Sequence, residues 1–136
     1  MPSHLLDTNI VSYLMRTKTP PIKNHFRSEQ GGSSLVAIST VTEAELLFGL
    51  ARRPEATRLA NSVHEFLTDI TILQWDSAAA KQYAELRAEL ERQGQPMGNL
   101  DLMIAAHALA EDAVLVTNDS AFRRIERLKL EDWTRP

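Results

Sequence analysis

The side chains of this 136-residue sequence best suited to chemistry are acids in four separated segments. Asp7 follows Leu5-Leu6, Glu43 and Glu45 lie close together after Ser39-Thr40, Asp101 follows Gly98-Asn99-Leu100, and Asp119 lies in Thr117-Asn118-Asp119-Ser120. Carboxylates gathered at one place repel one another unless a cation joins them. Oxygen donors with few nitrogens and no sulfur suit Mg2+ or Mn2+. Such ions lower the pKa of a bound water and neutralise charge on a phosphodiester during in-line displacement, with no side-chain nucleophile required.

Each acid also has a purely structural reading. Asp7 can cap a helix that begins near Thr8. Glu43 completes a Thr40-x-x-Glu43 capping box, and Glu45 can do the same with Thr42, so periodicity does not separate the two glutamates. Asp101 belongs to the first turn of a helix, where the dipole favours an acid. Asp119 can serve a turn or a cap. Only their convergence would make them a site.

That convergence depends on the elements that carry them. Short apolar runs at Leu5-Leu6, Leu35–Ile38, Ile70–Leu73, Ala113–Val116 and Leu128–Glu131 read as strands. Between them lie helical stretches: from Thr8 to about Met15, from Pro20-Pro21 to Gln30, from the caps Ser39, Thr40 and Thr42 to about Ala51, and from Pro54 through Leu67. Gly31–Ser34 reads as a turn. Asp76 caps a long helix with Ala79, Tyr83, Leu86 and Leu90 inward, and after the loop 94–98 a further helix turns Leu100, Met103, Ile104 and Ala108 inward. Alternating strands and helices predict an α/β fold in which a mainly parallel sheet of four to five strands is covered by helices on both faces. In such sheets chemistry collects beyond the carboxyl ends of the strands. Asp7 directly follows the first strand, and Asp119 stands three residues after Val116, at the exit of the fourth.

Composition narrows the classes further. Residues 1–136 read as one domain, 43% hydrophobic and 24% charged. The absence of cysteine excludes disulfides, thiolate metal sites and a cysteine nucleophile, and is compatible with the reducing cytoplasm expected here. Met1-Pro2-Ser3-His4 lacks the basic opening of a secretory signal, and no apolar run approaches the ~20 residues of a membrane span. The four histidines share no ligand spacing, and His107 reads as a satisfied, semi-buried side chain. Neither a phosphate-binding glycine loop nor a Gly-x-Ser-x-Gly elbow is present. The formal net charge of −3 argues against nucleic acid held by bulk electrostatics, so an RNA ligand would need local basic patches, metal ions or a partner. Arg123 and Arg124, close to Asp119, are the first candidates; Arg16, Lys18, Arg52, Arg53 and Arg127 follow.

The motifs resemble those of a known family. Leu5-Leu6-Asp7-Thr8-Asn9 is similar to the opening of PIN domains, and Ser39-x-x-Thr42-x-x-Glu45-Leu46-x-x-Gly49 to their second motif. Asn99-Leu100-Asp101-x-x-Ile104-Ala105 resembles the third and Thr117-Asn118-Asp119-x-x-Phe122 the fourth, so the likeness runs from Leu5 to about Trp133. At this length the chain is similar to VapC-type toxins. The resemblance implies a PIN-like three-layer fold and assigns Asp7, Glu45, Asp101 and Asp119, not Glu43, to a catalytic Mg2+ or Mn2+ site, with Asn9 and Thr117 supporting it. It also implies an endoribonuclease toxin that cleaves structured RNA, transfer or ribosomal, through a metal-activated water. A VapB-type antitoxin would hold it inactive, the chain would form homodimers, and no membrane would be involved. The rival expectations are a PIN nuclease of RNA processing, a non-catalytic PIN-fold interaction domain, and an α/β enzyme using Asp7 as a covalent nucleophile.

Overall fold

In chain order the computed structural model, which describes residues 3–16, 24–28 and 35–135, contains β1 (Ser3–Leu6), α1 (Thr8–Arg16), β2 (Leu35–Ser39), α2 (Thr40–Arg52), α3 (Thr57–Asp69), β3 (Thr71–Leu73), α4 (Ser77–Arg92), α5 (Asn99–Ala110), β4 (Val114–Val116), a 3-10 turn (Ser120–Arg124) and β5 (Lys129–Glu131). Residues 24–28 are helical. The rest of the helical stretch expected from Pro20 to Gln30, the turn at Gly31–Ser34, Lys18 and the side chain of Arg16 lie outside the described residues.

The five strands form one sheet in the order β3-β2-β1-β4-β5, and every pairing is parallel. β1 is central, with Leu5 opposite both Ala37 and Leu115. Successive side chains of a strand point to opposite faces, and two cores result. Leu5, Ala37 and Leu115 pack on one face with Leu86 and Leu90 of α4 and Leu102, Ile104, Ala105 and Ala108 of α5. Leu6, Val36, Ile38 and Val116 pack on the other with Ile10 and Val11 of α1, Leu46 of α2 and Val63 of α3. Hence the apolar strands are covered twice, as a parallel sheet requires.

Several local expectations need correction. α3 begins at Thr57, not at Pro54, because residues 53–56 turn first, with Ala56 N–H on Arg53 O. Leu100 is exposed, not inward, since the covered side of α5 runs through Leu102, Ile104 and Ala105. The capping box expected from Thr40 and Glu43 does not form. Ser39 is the cap, its Oγ accepting Val41 N–H at 3.0 Å, while the Thr40 hydroxyl accepts Trp75 N–H at 3.2 Å. The turn after α4 follows its glycine as anticipated. Gly94, at φ +68°, gives its N–H to Glu91 O and lets Gln95 N–H reach Leu90 O, closing the helix in a Schellman motif.

Candidate active site

The carboxyl ends of β1 and β4 lie side by side, and Asp7 N–H extends their ladder by donating to Val116 O at 3.1 Å. This bond fixes the Asp7 backbone directly beside Thr117. The Asp7 side chain turns inward: it is only 4% exposed, and its Oδ1 accepts Ile10 N–H at 2.8 Å in the first turn of α1. The buried Thr117 hydroxyl also bonds the Asp7 carboxylate. On its other side the same oxygen accepts Asp119 N–H at 3.0 Å, and Asp119 Oδ1 accepts Ala121 N–H at 2.9 Å to cap the 3-10 turn. One hydroxyl thus ties the acid after β1 to the acid after β4.

The other two acids come from helices. Glu45, one turn into α2, is held by the Thr8 hydroxyl, which lies 2.6 Å from Oε1 and 3.3 Å from Thr42 Oγ1. Asp101 stands in the first turn of α5, whose cap Gly98 offers no side-chain bond. The charges of these groups are felt mutually. Burial pushes the Asp7 carboxyl from 3.8 up to about 6; Asp101 and Asp119 add to the rise, and the bonds from Thr117 and Ile10 oppose it. Burial also raises Asp101, with Asp119 and Glu45 contributing. Each of the four acids therefore lies within electrostatic reach of another. They do not touch as ligands do: among the described residues no three His, Cys, Asp or Glu side chains already form a shell that could hold a metal ion. The donor set is nevertheless all oxygen, and this is the chemistry a hard divalent cation fits.

The remaining expected site residues divide. Thr117 stands as a hub between two acids. Asn9 is exposed on α1 and makes no bond to the acids among the described residues; the neighbouring Thr8, which sequence reasoning passed over inside Asp-Thr-Asn, holds Glu45 instead. Glu43 is not among the charges that raise Asp7 or Asp101, and the glutamate that Thr8 bonds is Glu45. Arg123 lines a recess of about 220 Å³ with Thr117, Asn118 and Asp119. Arg124 gives its guanidinium to Pro96 O at 3.1 Å, binding the loop before α5 rather than facing outward unengaged. Arg127 pairs with Glu89, Arg53 lies 4.0 Å from Glu55, and Arg52 stacks over Phe48. A second, larger groove of about 420 Å³ lies away from the acids, walled by Leu14, Met15, Phe26, Arg27, Phe66 and Ile70.

Comparison with known proteins gives the family and the fold. Residues 4–128 match the PIN domain family. The chain is 37% identical over 131 residues to the tRNA(fMet)-specific endonuclease VapC of Shigella flexneri, covering 96% of this chain and 97% of that protein. Its fold superposes on VapBC2 from Rickettsia felis bound to a promoter DNA fragment, with a TM-score of 0.90, 35% identity and coverage of 96% and 98%. A DNA-bound VapBC from Salmonella typhimurium gives 0.89, 34%, and coverage of 98% and 99%. The matched span contains all four acidic segments and both helical layers that carry them. By sequence along nearly its whole length, and by its all-parallel sheet, the chain belongs to the PIN-domain family as a ribonuclease toxin of the VapC type.

Proposed function

We propose that this toxin is an endoribonuclease whose metal site is formed by Asp7, Glu45, Asp101 and Asp119, with Mg2+ or Mn2+ as cofactor. The observation that carries the reading is the raised carboxyl of Asp7: an acid buried near the charges of two others pays a penalty for ionising that a bound cation would relieve, its proton leaving to solvent. When bound, the ion supplies a water of lowered pKa and neutralises charge on the scissile phosphodiester. The residues of the chain set the geometry. Ile10 N–H and the Thr117 hydroxyl hold Asp7, Thr117 and Ala121 N–H hold Asp119, and Thr8 holds Glu45. Water attacks phosphorus, the P–O3′ bond breaks, and the 3′ oxygen leaves with a proton, giving a 5′-phosphate and a 3′-hydroxyl. Arg123, beside Asp119, contacts a neighbouring phosphate and so contributes affinity without sequence preference.

The substrate is a structured RNA, transfer or ribosomal. The Shigella relative, named for an initiator transfer RNA, supports the first. Regulation is by a VapB-type antitoxin, in keeping with the VapBC complexes that share the fold. An antitoxin helix seats its apolar face in the groove walled by Leu14, Met15, Phe26 and Phe66. The toxin itself pairs as a homodimer. Among the described residues no helix is long and apolar enough to cross a membrane.

The deciding experiment uses protein stripped of antitoxin. RNA should be cut with Mg2+ or Mn2+, remain whole in EDTA, and remain whole with Asp7→Asn; sequencing the new ends would give the target and the cut position. Cutting that persists both in EDTA and in Asp7→Asn would end this reading.

A further inference from the structure

Behind the acids, one buried polar contact joins the two helices that carry Glu45 and Asp101. His107 lies on α5, the helix of Asp101, and is wholly buried. Its Nδ1 stands 2.8 Å from Ser39 Oγ. Ser39 is wholly buried too and is the cap of α2, its Oγ accepting Val41 N–H. From that first turn α2 runs through Thr42, which touches Thr8, to Glu45. The His107–Ser39 contact therefore links the Asp101 helix to the start of the Glu45 helix.

An imidazole used only as filling would be a poor choice here. Its neighbours Ala105, Ala106 and Ala108 are all fully buried and apolar, whereas His107 Nε2 has no hydrogen-bond partner among the described residues. The nearest carboxylate oxygen, on Glu111, is 3.8 Å away, beyond hydrogen-bond length. Burying a polar nitrogen without a partner costs free energy that an apolar side chain avoids. Burial also lowers the His107 pKa, which keeps the ring neutral. In the neutral tautomer with hydrogen on Nε2, the nitrogen nearer the Glu111 carboxylate, Nδ1 accepts from the Ser39 hydroxyl. A hydroxyl turned toward His107 keeps a lone pair on Val41 N–H, and the cap is held in one rotamer.

We propose that His107 is a positioning residue which, through Ser39, fixes the first turn of α2 and thereby the placement of Glu45 relative to Asp101. The inference rests on the reading of those two acids as catalytic, and its test separates the two claims. Oligoribonucleotide cleavage gives kcat and KM, and amide exchange at Val41 in metal-free protein reports the cap directly. His107→Phe should lower kcat about tenfold with KM little changed and speed Val41 exchange by a similar factor. His107→Asn, whose side-chain oxygen takes the place of Nδ1, should return both readings to within roughly threefold of the parent, while His107→Gln, whose amide reaches toward Nε2, should behave as Phe. Adding Ser39→Ala to His107→Phe should cost no more than the worse single change, since both break one chain of bonds. Equal behaviour of Asn and Gln, or losses that simply add, would overturn the proposal. If His107→Phe does not fold, the Asn and Gln pair decides. If the parent protein cuts no RNA, the functional reading fails, while Val41 exchange that is slow in parent and Asn but fast in Gln still supports the positioning role, and equal exchange in all three refutes it.

Discussion

Two halves of the acid site are held by different means. Asp7 and Asp119 hang from the ends of adjacent strands, bound by backbone N–H groups and sharing the Thr117 hydroxyl. Glu45 and Asp101 project from helices, and the only side-chain bonds described for this pair come from Thr8 to Glu45. The strand half is fixed by the sheet itself, because Asp7 N–H belongs to the ladder. The helix half depends on helix placement and one hydroxyl, so it has more freedom to close on a cation. Preorganisation is concentrated where burial is deepest, and the penalty for burying a charge is greatest there as well.

The comparison breaks most sharply at Asp7. Asp7→Asn keeps an oxygen for Ile10 N–H but removes the buried charge, so cleavage should fall by about a hundredfold to a thousandfold, the scale of losing one key electrostatic group. Residual activity within tenfold of the parent, in a folded variant, would show that the strand half is only structural.

The same residue gives a thermodynamic test without RNA. The folded carboxyl titrates near 6 and the unfolded one near 3.8, so the folded state holds the proton more tightly. That contribution to stability is fully present below pH 3.8 and is lost as pH rises through 6; the shift is worth roughly 3 kcal/mol. In EDTA, Asp7→Asn should therefore gain on the parent steadily from pH 4 to pH 7 and be the more stable protein at neutrality. Denaturant melts across that range check it; a constant gap between the two proteins would mean that burial does not penalise the Asp7 charge. Asp101 should add a smaller trend of the same sign, being less deeply buried.

On the helix side, Glu45→Gln should lower cleavage about a hundredfold, and Glu43→Gln should leave it within a few-fold, because only Glu45 meets Thr8 and acts on Asp101. Initial rates at saturating Mn2+ measure both. Equal losses would mean that α2 presents the other glutamate to RNA in solution.

Much of this was legible in the residues. The strand runs at Leu5, Leu35, Ile70, Val114 and Leu128 are all realised, and their alternation with helices foretold the parallel sheet. At Asp7 and Asp119 the structural and chemical readings proved compatible: each caps a turn while lying within reach of other acids, so cap chemistry in the sequence was no argument against a site. Glu45 needed the family resemblance, since Thr40-x-x-Glu43 and Thr42-x-x-Glu45 look alike until Ser39 is seen to be the cap. Leu100 was misplaced because α5 is apolar almost all round, which leaves the direction of its covered side unspecified. Thr8 was missed because its partner lies 37 residues away, and no local pattern encodes a contact between helices. His107 was expected to be satisfied and semi-buried; it is wholly buried with one nitrogen unpartnered among the described residues, a cost that depends on tertiary packing.

The smallest expected effect falls on the hydroxyl that holds the flexible half. Thr8 Oγ1 donates to Glu45 at 2.6 Å, a short bond to a charged acceptor, and stands 3.3 Å from Thr42. Removing it leaves Glu45 charged but free to choose among rotamers, so the loss should come from positioning and not from a missing ligand. Thr8→Val, nearly equal in size, should lower kcat by about five- to tenfold, well short of the Glu45→Gln effect. Thr8→Ser keeps the hydroxyl and should lie within roughly twofold of the parent. Combining Thr8→Val with Glu45→Gln should cost little beyond Glu45→Gln alone, because the hydroxyl then has no carboxylate to place. The parallel change in the strand half sharpens the contrast. Thr117→Val removes a bond that lowers the Asp7 pKa, so metal-free protein should become harder to ionise at Asp7 and its loss of stability with pH should move to higher pH. Thr8→Val should leave that pH profile where it is. If both threonine variants shift the profile alike, or neither does, the two halves are not held by different means and the distinction between a fixed and an adaptable side of the site fails.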